Sequence, residues 1–455
     1  MCFIAAVEQS KIHKRIALKV LIIFGCSHYR LSFLLFFTTM IASMWCYSIT
    51  ACALMVPLVK AILIELEKLG IVEVYENTNK LSSRNLVPSD IVTFYYLGVA
   101  YSSSIGAMAT VIGNETNQIF KAYCDTIFPL GPRMEFPHFM LLTLPGVLML
   151  QAFLYFWMNF YFLGMFRIQN RSVPSTCMSD EETQYVQTLL NSQYQKMGRI
   201  SSHEMILSLV LIATLALQAL SSFVYQSDKE LFIFKITSPS MIAVAILFII
   251  PINMEIPRIF RRNSASSVAA SEQSTNKEYK TCLTWSIVKD SVQWSILFVI
   301  VSTDAIFEAL KESGMFEELE KFLLFFKGPT SITVFVTLIM CKIFTEFVSS
   351  SCLVYCIMPH VARVSITLKI NPHYLMSSAV LASCLPFHLI TGTPANALVV
   401  AYGNIPRKKM MLAGTGLSII GILVVWFTVT VWSRAIWHDI NIYPEWANIH
   451  QFIRK

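Results

Sequence analysis

Small polar residues recur at matched spacings in two very apolar parts of the chain. In each half a serine lies nine positions before a proline, and a glycine lies four positions before an asparagine. Paired hydrophobic segments interrupted by such residues are typical of transporters with internal repeats and a site near the membrane midplane. The sequence therefore predicts a solute site built from equivalent residues of two repeats. The pairs are Ser48 with Pro57, Ser350 with Pro359, Gly113 with Asn117, and Gly392 with Asn396.

The composition excludes a soluble globular protein. Of 455 residues, 55% are apolar and only 14% are charged, and the mean hydropathy is +0.58. Soluble domains usually carry about 25% charged residues. Crossing a hydrocarbon core takes roughly 20 apolar helical residues, and about ten hydrophobic elements can be counted here. The predicted fold class is all-α, a polytopic helical membrane protein. The longest charge-free runs are residues 31–59, 91–114, 136–166, 205–227, 236–254, 370–406 and 410–433.

The net charge of +7 comes largely from basic clusters beside hydrophobic segments, near residues 11–19, 258–262 and 407–409. Short basic loops next to membrane spans mark the cytoplasmic side. The charge therefore predicts an orientation in the membrane and gives no reason to expect a nucleic-acid partner.

Two apolar runs are too long for single straight spans. Residues 31–59 would form about 44 Å of helix, and polar residues around Ser48 interrupt them, which favours a re-entrant hairpin or a broken helix. Residues 370–406 predict two half-helices separated by an unwound stretch at 391–395. Unwound backbone at membrane depth is tolerated only where it is buried in protein or lines a cavity. A simple kink is the alternative, but the polar residues around the break favour a binding site.

The repeats imply a division of the chain. Residues 1–30 contain the end of one helix and an amphipathic helix at 11–24, expected at the membrane interface. Residues 31–227 form the first repeat. Residues 228–290 form a connecting span with a Ser-rich linker at 261–280, and residues 291–455 form the second repeat.

Several segments, most of them beyond residue 344, resemble a known family. The chain is similar to the sodium-coupled di- and tricarboxylate (citrate and succinate) cotransporters of the divalent anion symporter superfamily. This resemblance implies inverted repeats, two re-entrant hairpins, two broken helices and a homodimer in the plasma membrane. The first three membrane segments of the family have no counterpart, so a divergent and N-terminally truncated member is expected. The matching segments are 370–375 (INPHYL), 391–405 (TGTPANALVVAYGNI), 432–437 (WSRAIW) and 443–448 (YPEWAN).

The chain departs from the family pattern at the predicted hairpin tips. The family has Ser-Asn-Thr at each tip, where it supplies oxygens for sodium and hydrogen bonds for substrate carboxylates. The resemblance places the first triplet on Tyr47, Ser48 and Ile49 and the second on residues 349–351, all serine. Isoleucine has no oxygen and tyrosine brings a bulky ring, so the first cation site is expected to be impaired. The second is expected to be weakened but possible.

The resemblance also implies two sets of site residues. Sodium is a hard cation and should prefer oxygen ligands, whereas the N-termini of half-helices suit carboxylates. The alternative for each asparagine is a structural hydrogen bond between helices. No other cofactor is expected. The expected substrate-binding residues are Ser48, Ser350, Ser351, Thr393, Pro394 and Asn396, and the expected sodium ligands are Gly113, Asn117, Ser350 and Asn396.

Charged residues in this apolar context need an account, because each costs about 2.5–3.5 kcal/mol at a helix centre. Lys342 and Glu346 are four residues apart and are predicted to pair on one helical face near the interface. Glu115 lies inside the first-repeat motif. If it faces the cavity, its charge could replace a lost cation ligand or repel an anion; if it faces the interface, it is only solvated.

The sequence thus predicts a secondary active transporter of di- or tricarboxylates with weakened or altered sodium coupling. The expected partners are the carboxylate substrate, membrane lipid and a second copy of the chain. A non-transporting paralogue with a structural or regulatory role in a dimer is the alternative. A membrane enzyme has little support, because the histidines show no ligand spacing and no Ser/His/Asp arrangement is present.

Overall fold

The computed structural model describes residues 2–75, 87–129, 131, 136–164, 180–227, 238–250, 281–292, 294–325, 328–437, 440 and 442–447. These residues are mainly helical, and an isolated β-bridge joins Tyr75 to Pro88. The all-α prediction is confirmed. The predicted Ser-rich linker at 261–280 lies outside the described residues.

The first half of the chain contains two N-terminal helices and a five-helix unit. The unit consists of a two-helix hairpin, a broken helix and one long apolar helix. In chain order the helices are α1 (Cys2–Ser10), α2 (Ile12–Phe24), α3 (His28–Trp45), α4 (Ser48–Lys68), α5 (Asp90–Ala107), α6 (Glu115–Ile127) and α7 (Phe136–Leu163).

Six helices connect this unit to its counterpart. The first of them, α8, is polar. The helices are α8 (Asp180–Lys196), α9 (Ser202–Ser227), α10 (Ser238–Ile249), α11 (Trp285–Ser291), α12 (Ser295–Glu312) and α13 (Met315–Phe325).

The second half repeats the five-helix unit in the same order. A hairpin is again followed by a broken helix and a long apolar helix, which continues through a π-helical turn at Thr428–Trp432. These helices are α14 (Thr330–Phe347), α15 (Ser350–Thr367), α16 (Pro372–Ser383), α17 (Pro394–Gly403), α18 (Arg407–Phe427) and α19 (Ser433–Ile436).

Each hairpin turns within two residues. Cys46 and Tyr47 connect α3 to α4, and Val348 and Ser349 connect α14 to α15. In both turns the first residue donates its backbone N–H to the carbonyl four residues earlier, at 3.1 Å. The hairpin interpretation of residues 31–59 is confirmed, whereas its re-entrant placement in a membrane stays a prediction. The polar cluster around Ser48 marks the turn.

The helix breaks differ in extent from the sequence prediction. The second break runs from residue 384 to residue 393 rather than from 391 to 395. Pro394 begins α17, because proline has no N–H to leave unsatisfied and its φ suits the first helical position. The first break covers residues 108–114.

The two units are interlocked. The second arm of the first hairpin, α4, packs against α5 of its own unit and against α17 of the other. The second arm of the other hairpin, α15, likewise packs against α16 and against α6. Each hairpin therefore contacts both broken helices, and both hairpin tips lie where the breaks lie.

Length and composition support a membrane location. Among the described residues, four helices are long and apolar enough to cross a bilayer, or five if the bent pair α11 and α12 forms one span. The sequence analysis counted about ten hydrophobic elements. Fewer helices qualify as spans, because several apolar runs are divided into hairpin arms and half-helices. The four are Ser48–Lys68, Pro137–Leu163, Thr330–Phe347 and Arg407–Ile436.

Glycines allow the breaks to approach the hairpins closely. A Cβ at Gly113 would lie 2.7 Å from the carbonyl oxygen of Ser43, and one at Gly392 would lie 3.0 Å from that of Thr345 and would overlap Pro386. Ser43 and Thr345 occupy equivalent places, three residues before each turn begins. The repeated Gly-x-x-x-Asn pattern therefore reflects a repeated backbone contact.

Replacing Gly392 with alanine should separate the second hairpin from its break. Overpacking of this kind typically costs about 1–3 kcal/mol, so Gly392→Ala should lower the melting temperature of the purified protein. Gly328→Ala is the matched control, because its nearest neighbour would be Ile332 at an ordinary 3.8 Å. Equal melting temperatures for the two variants would contradict the close contact.

Candidate functional site

A cavity of about 470 Å³ lies where the hairpin tips meet the helix breaks. Both tips and the starts of both second half-helices contribute to its wall, so it combines equivalent parts of the two units. Residues from α12 complete it. The repeat-derived lining residues are Tyr47, Ser48, Ile49, Asn114, Glu115, Ile119, Ser349, Ser350, Ser351, Cys352, Tyr355, Thr393 and Pro394.

Four helices begin at this cavity. The first residues of α4, α6, α15 and α17 are Ser48, Glu115, Ser350 and Pro394, and all four line it. The first N–H groups of a helix have no partner within the helix, and its N-terminus carries a partial positive charge of about half a unit. The cavity wall thus presents the arrangement that binds anions at helix N-termini.

Equivalent hydrogen bonds hold the two hairpin tips against the breaks. The backbone N–H of Ser48 donates to the carbonyl of Gly113 at 3.3 Å, and that of Ser350 donates to the carbonyl of Gly392 at 3.4 Å. The matched spacings in the sequence therefore correspond to one contact made twice.

The two asparagines act as equivalent clamps. The Asn117 amide nitrogen donates to the carbonyls of residues 107 and 110, at 3.2 and 2.8 Å. The Asn396 amide nitrogen donates to those of residues 386 and 389, at 2.8 and 3.3 Å. In both units the acceptors lie ten and seven residues before the asparagine. Both amide nitrogens therefore make structural hydrogen bonds, which the sequence analysis gave as the alternative to ligand binding. Only the amide oxygens are left for other partners.

The amide oxygens distinguish the two units. Asn117 Oδ1 accepts a hydrogen bond from the Cys384 thiol at 3.7 Å. Asn396 Oδ1 has no hydrogen-bond partner among the described residues, and neither does Oγ1 of Thr393. Asn396 is fully buried and Thr393 is 6% exposed. Buried acceptors without a partner are rare, so the second unit keeps two oxygens available for a ligand.

Glu346 organises the second break. Its carboxylate pairs with Lys342 and accepts the backbone N–H groups of residues 387, 388 and 389, each at 3.1 Å. It also contacts Nδ1 of His388 at 2.9 Å. The predicted Lys342–Glu346 pair is present. The two residues are 4% and 7% exposed, and Glu346 supports unwound backbone, whereas the predicted place of the pair near an interface stays a prediction.

Two acidic residues line the cavity. Glu115 is one of them, in agreement with the interpretation in which it faces the cavity, and its side chain is exposed. The other is Asp304 of α12, which the sequence analysis missed. Its signal was a single carboxylate directly after the uncharged residues 295–303, but its neighbours depend on how α12 packs.

The structure separates the predicted site residues into two groups. Ser48, Ser350, Ser351, Thr393 and Pro394 line the cavity. Gly113, Asn117 and Asn396 lie in or just after the breaks and are not among the described lining residues. No group of three or more His, Cys, Asp or Glu side chains suited to a metal occurs among the described residues.

Apolar helices, paired hairpins and a shared polar cavity define a membrane transporter. The chain belongs to the family described as the sodium:sulfate symporter transmembrane region, whose model matches residues 1–438. It is thus a multi-pass integral membrane transporter rather than an enzyme.

Named relatives agree with this membership. The Drosophila melanogaster "Protein I'm not dead yet" is 30% identical over 98% of this chain and 77% of its own length. The Mus musculus Na(+)/citrate cotransporter is 26% identical over 97% of this chain and 82% of its own length. The Homo sapiens Na(+)/dicarboxylate cotransporter 3 is 24% identical over 98% and 80%. The expected family resemblance is confirmed.

Neutralising Glu346 should destabilise the protein far more than neutralising an exposed glutamate. Glu346→Gln leaves Lys342 buried without a counter-charge, and breaking a buried pair in this way costs about 3–5 kcal/mol. The control is Glu318→Gln, because Glu318 pairs with Lys321 on an exposed surface and such pairs contribute about 0–1 kcal/mol. Thermal unfolding in detergent measures the difference. Similar shifts for both variants would refute the role of Glu346.

Proposed function

We propose that this protein is a secondary active transporter of di- or tricarboxylates with altered sodium coupling. The observation that carries the proposal is the convergence of four helix N-termini and two hairpin tips on one cavity. Relatives named for citrate and dicarboxylate cotransport support the choice of carboxylate. The plasma membrane and a homodimer are proposed on the same family basis.

Carboxylates fit the polar groups of the wall. The hydroxyls of Ser48, Ser350 and Ser351 lie at the starts of α4 and α15. Hydroxyls and free N–H groups donate hydrogen bonds to carboxylate oxygens, and helix N-termini favour their charge. The volume of about 470 Å³ is within the range of small-molecule sites, about 300–1,000 Å³.

The second unit fits a sodium ion better than the first. Asn396 Oδ1 and Thr393 Oγ1 are buried oxygens without a partner among the described residues, and sodium favours such ligands by analogy with other hard cations. In the first unit Ile49 offers no oxygen, and Asn117 Oδ1 already accepts from Cys384. When bound, sodium supplies positive charge for a substrate carboxylate. Thr393 and Asn396 would hold it, and an altered coupling ratio follows from the weaker first unit.

The non-transporting alternative rests on the substitutions at the first tip. Uptake of radiolabelled succinate and citrate by cells that express the full chain, with sodium or with choline, separates the two functions. Uptake above that of untransfected cells supports transport, and its absence at normal surface expression supports the paralogue.

Removing the Thr393 hydroxyl should weaken sodium dependence without unfolding the protein. Thr393→Val keeps the shape of the side chain and removes an oxygen that has no partner among the described residues. We expect the half-saturating sodium concentration for succinate uptake to rise about tenfold, the equivalent of 1.4 kcal/mol. Thr415→Val is the control, because Thr415 is exposed and bonds only within its own helix, to the carbonyl of Met411. An unchanged sodium dependence in Thr393→Val would remove this oxygen from the site.

Restoring oxygen ligands at the first tip should strengthen coupling. We expect wild-type uptake to show weak sodium dependence, because Ile49 lines the cavity without an oxygen. The double variant Ser48→Asn with Ile49→Thr should increase that dependence, and Tyr47→Ser relieves crowding if the double variant alone does not. Steeply sigmoidal sodium activation of the wild type would show that the first unit is not impaired.

A further inference from the structure

The cavity carries two carboxylates and no Lys, Arg or His among its described lining residues. Glu115 is the first residue of α6, and Asp304 lies in the middle of α12. Asp304 Oδ1 accepts a hydrogen bond from the Cys352 thiol at 3.5 Å. Glu115, Asp304 and Cys352 all line this cavity, and Cys352 lies two residues after the first residue of α15, at the second hairpin tip.

These carboxylates offset the field of the helices. Four N-termini at about half a charge each give the wall about two positive charges, and the two carboxylates cancel them. Glu115 also stands at the N-terminus of α6, in the place that an anion would otherwise take. The cavity by itself therefore offers a doubly charged anion little net attraction, which is unexpected in a transporter of such anions.

A buried oxygen at the same cavity points to a cation. Thr393 lines the cavity and is only 6% exposed, yet its Oγ1 has no hydrogen-bond partner among the described residues. Carboxylate and hydroxyl oxygens are the ligands that hard cations take. A cation near Asp304, Glu115 and Thr393 would satisfy this oxygen and restore a positive field.

We propose that Asp304 and Glu115 form an acidic subsite that binds an alkali cation, with sodium as its ion, and that filling this subsite lets the cavity accept a dianion. The statement about the dianion rests on the proposed function, whereas the cation subsite rests on the cavity alone.

Cys352 provides a local test of cation binding. The purified full chain is treated with N-ethylmaleimide in detergent, without any carboxylate, while sodium chloride replaces choline chloride at constant ionic strength. Mass spectrometry gives the alkylation rate of each cysteine. Sodium should change the reaction rate of Cys352 in a saturable manner, because an ion bound beside Asp304 alters both the access to the thiol and its charge state. Cys356, one turn further along α15 and not among the described lining residues, is the internal reference.

Charge-neutral variants identify the subsite. Glu115→Gln and Asp304→Asn should each raise the half-saturating sodium concentration at Cys352 about tenfold or more, the equivalent of at least 1.4 kcal/mol. Glu115→Gln is the cleaner variant, because Asp304→Asn also alters the hydrogen bond to Cys352. Glu308→Gln is the matched control and should leave the value unchanged. Glu308 lies one turn after Asp304 on α12 and pairs with Lys311.

The outcomes separate the subsite from the transport function. No saturable sodium effect at Cys352, an effect that magnesium or ionic strength alone reproduces, or equal half-saturation in the two variants and the wild type would each overturn the subsite. Succinate uptake together with unaltered sodium binding in both variants would also overturn the subsite, but it would support the proposed transport function. A sodium effect that both variants weaken, in a chain without uptake, would support the subsite and refute transport.

Discussion

The structure depends on satisfying the backbone of two broken helices inside an apolar protein. Polar backbone groups have no water to bond in the hydrocarbon region, so a break is stable only if protein groups replace the lost helical bonds. Asn117 and Asn396 each join two carbonyls across their break. The hairpin tips add one further bond to each break, through Ser48 and Ser350. The cavity is the space that remains between these supports.

The backbone groups of the two breaks are satisfied by different residues, and this difference decides which oxygens remain available to a ligand. The second break is supported by a buried carboxylate, Glu346, which accepts three successive N–H groups. That support leaves Asn396 Oδ1 without a partner. The first break has no equivalent carboxylate among the described residues, and Asn117 Oδ1 is engaged by Cys384. The two repeats therefore have equal residue spacings but unequal numbers of oxygens available to a ligand.

The sequence predicted the features for which backbone geometry requires a particular residue type. Close approach requires Gly113 and Gly392, and bridging a break requires an amide, so the repeated Gly-x-x-x-Asn pattern marked both places. The short hairpin was predictable because a polar cluster interrupted a run too long for one span. The second break begins as early as residue 384, because Glu346 on α14 accepts the N–H groups of residues 387, 388 and 389 in place of helical carbonyls. No local pattern could indicate that contact.

The acidic side of the cavity lay beyond prediction for a similar reason. Asp304 belongs to a connecting helix outside both repeated units, and only the packing of α12 beside the second hairpin tip brings it to the wall. The orientation of Glu115 was left open, because a first-turn glutamate is equally suited to solvent and to a cavity. Residue type and spacing therefore predicted the repeated framework, whereas the charge of the cavity required tertiary contacts.

Cys384 lies in the second break, yet its thiol contacts Asn114, Thr116 and Asn117 of the first unit. The two repeats therefore also meet at their centres, in addition to the contacts that their hairpins make. A larger or more polar residue at position 384 would displace the clamp of the opposite repeat, so the halves cannot accumulate substitutions independently. Divergence in one copy of the repeat limits which substitutions the other copy tolerates.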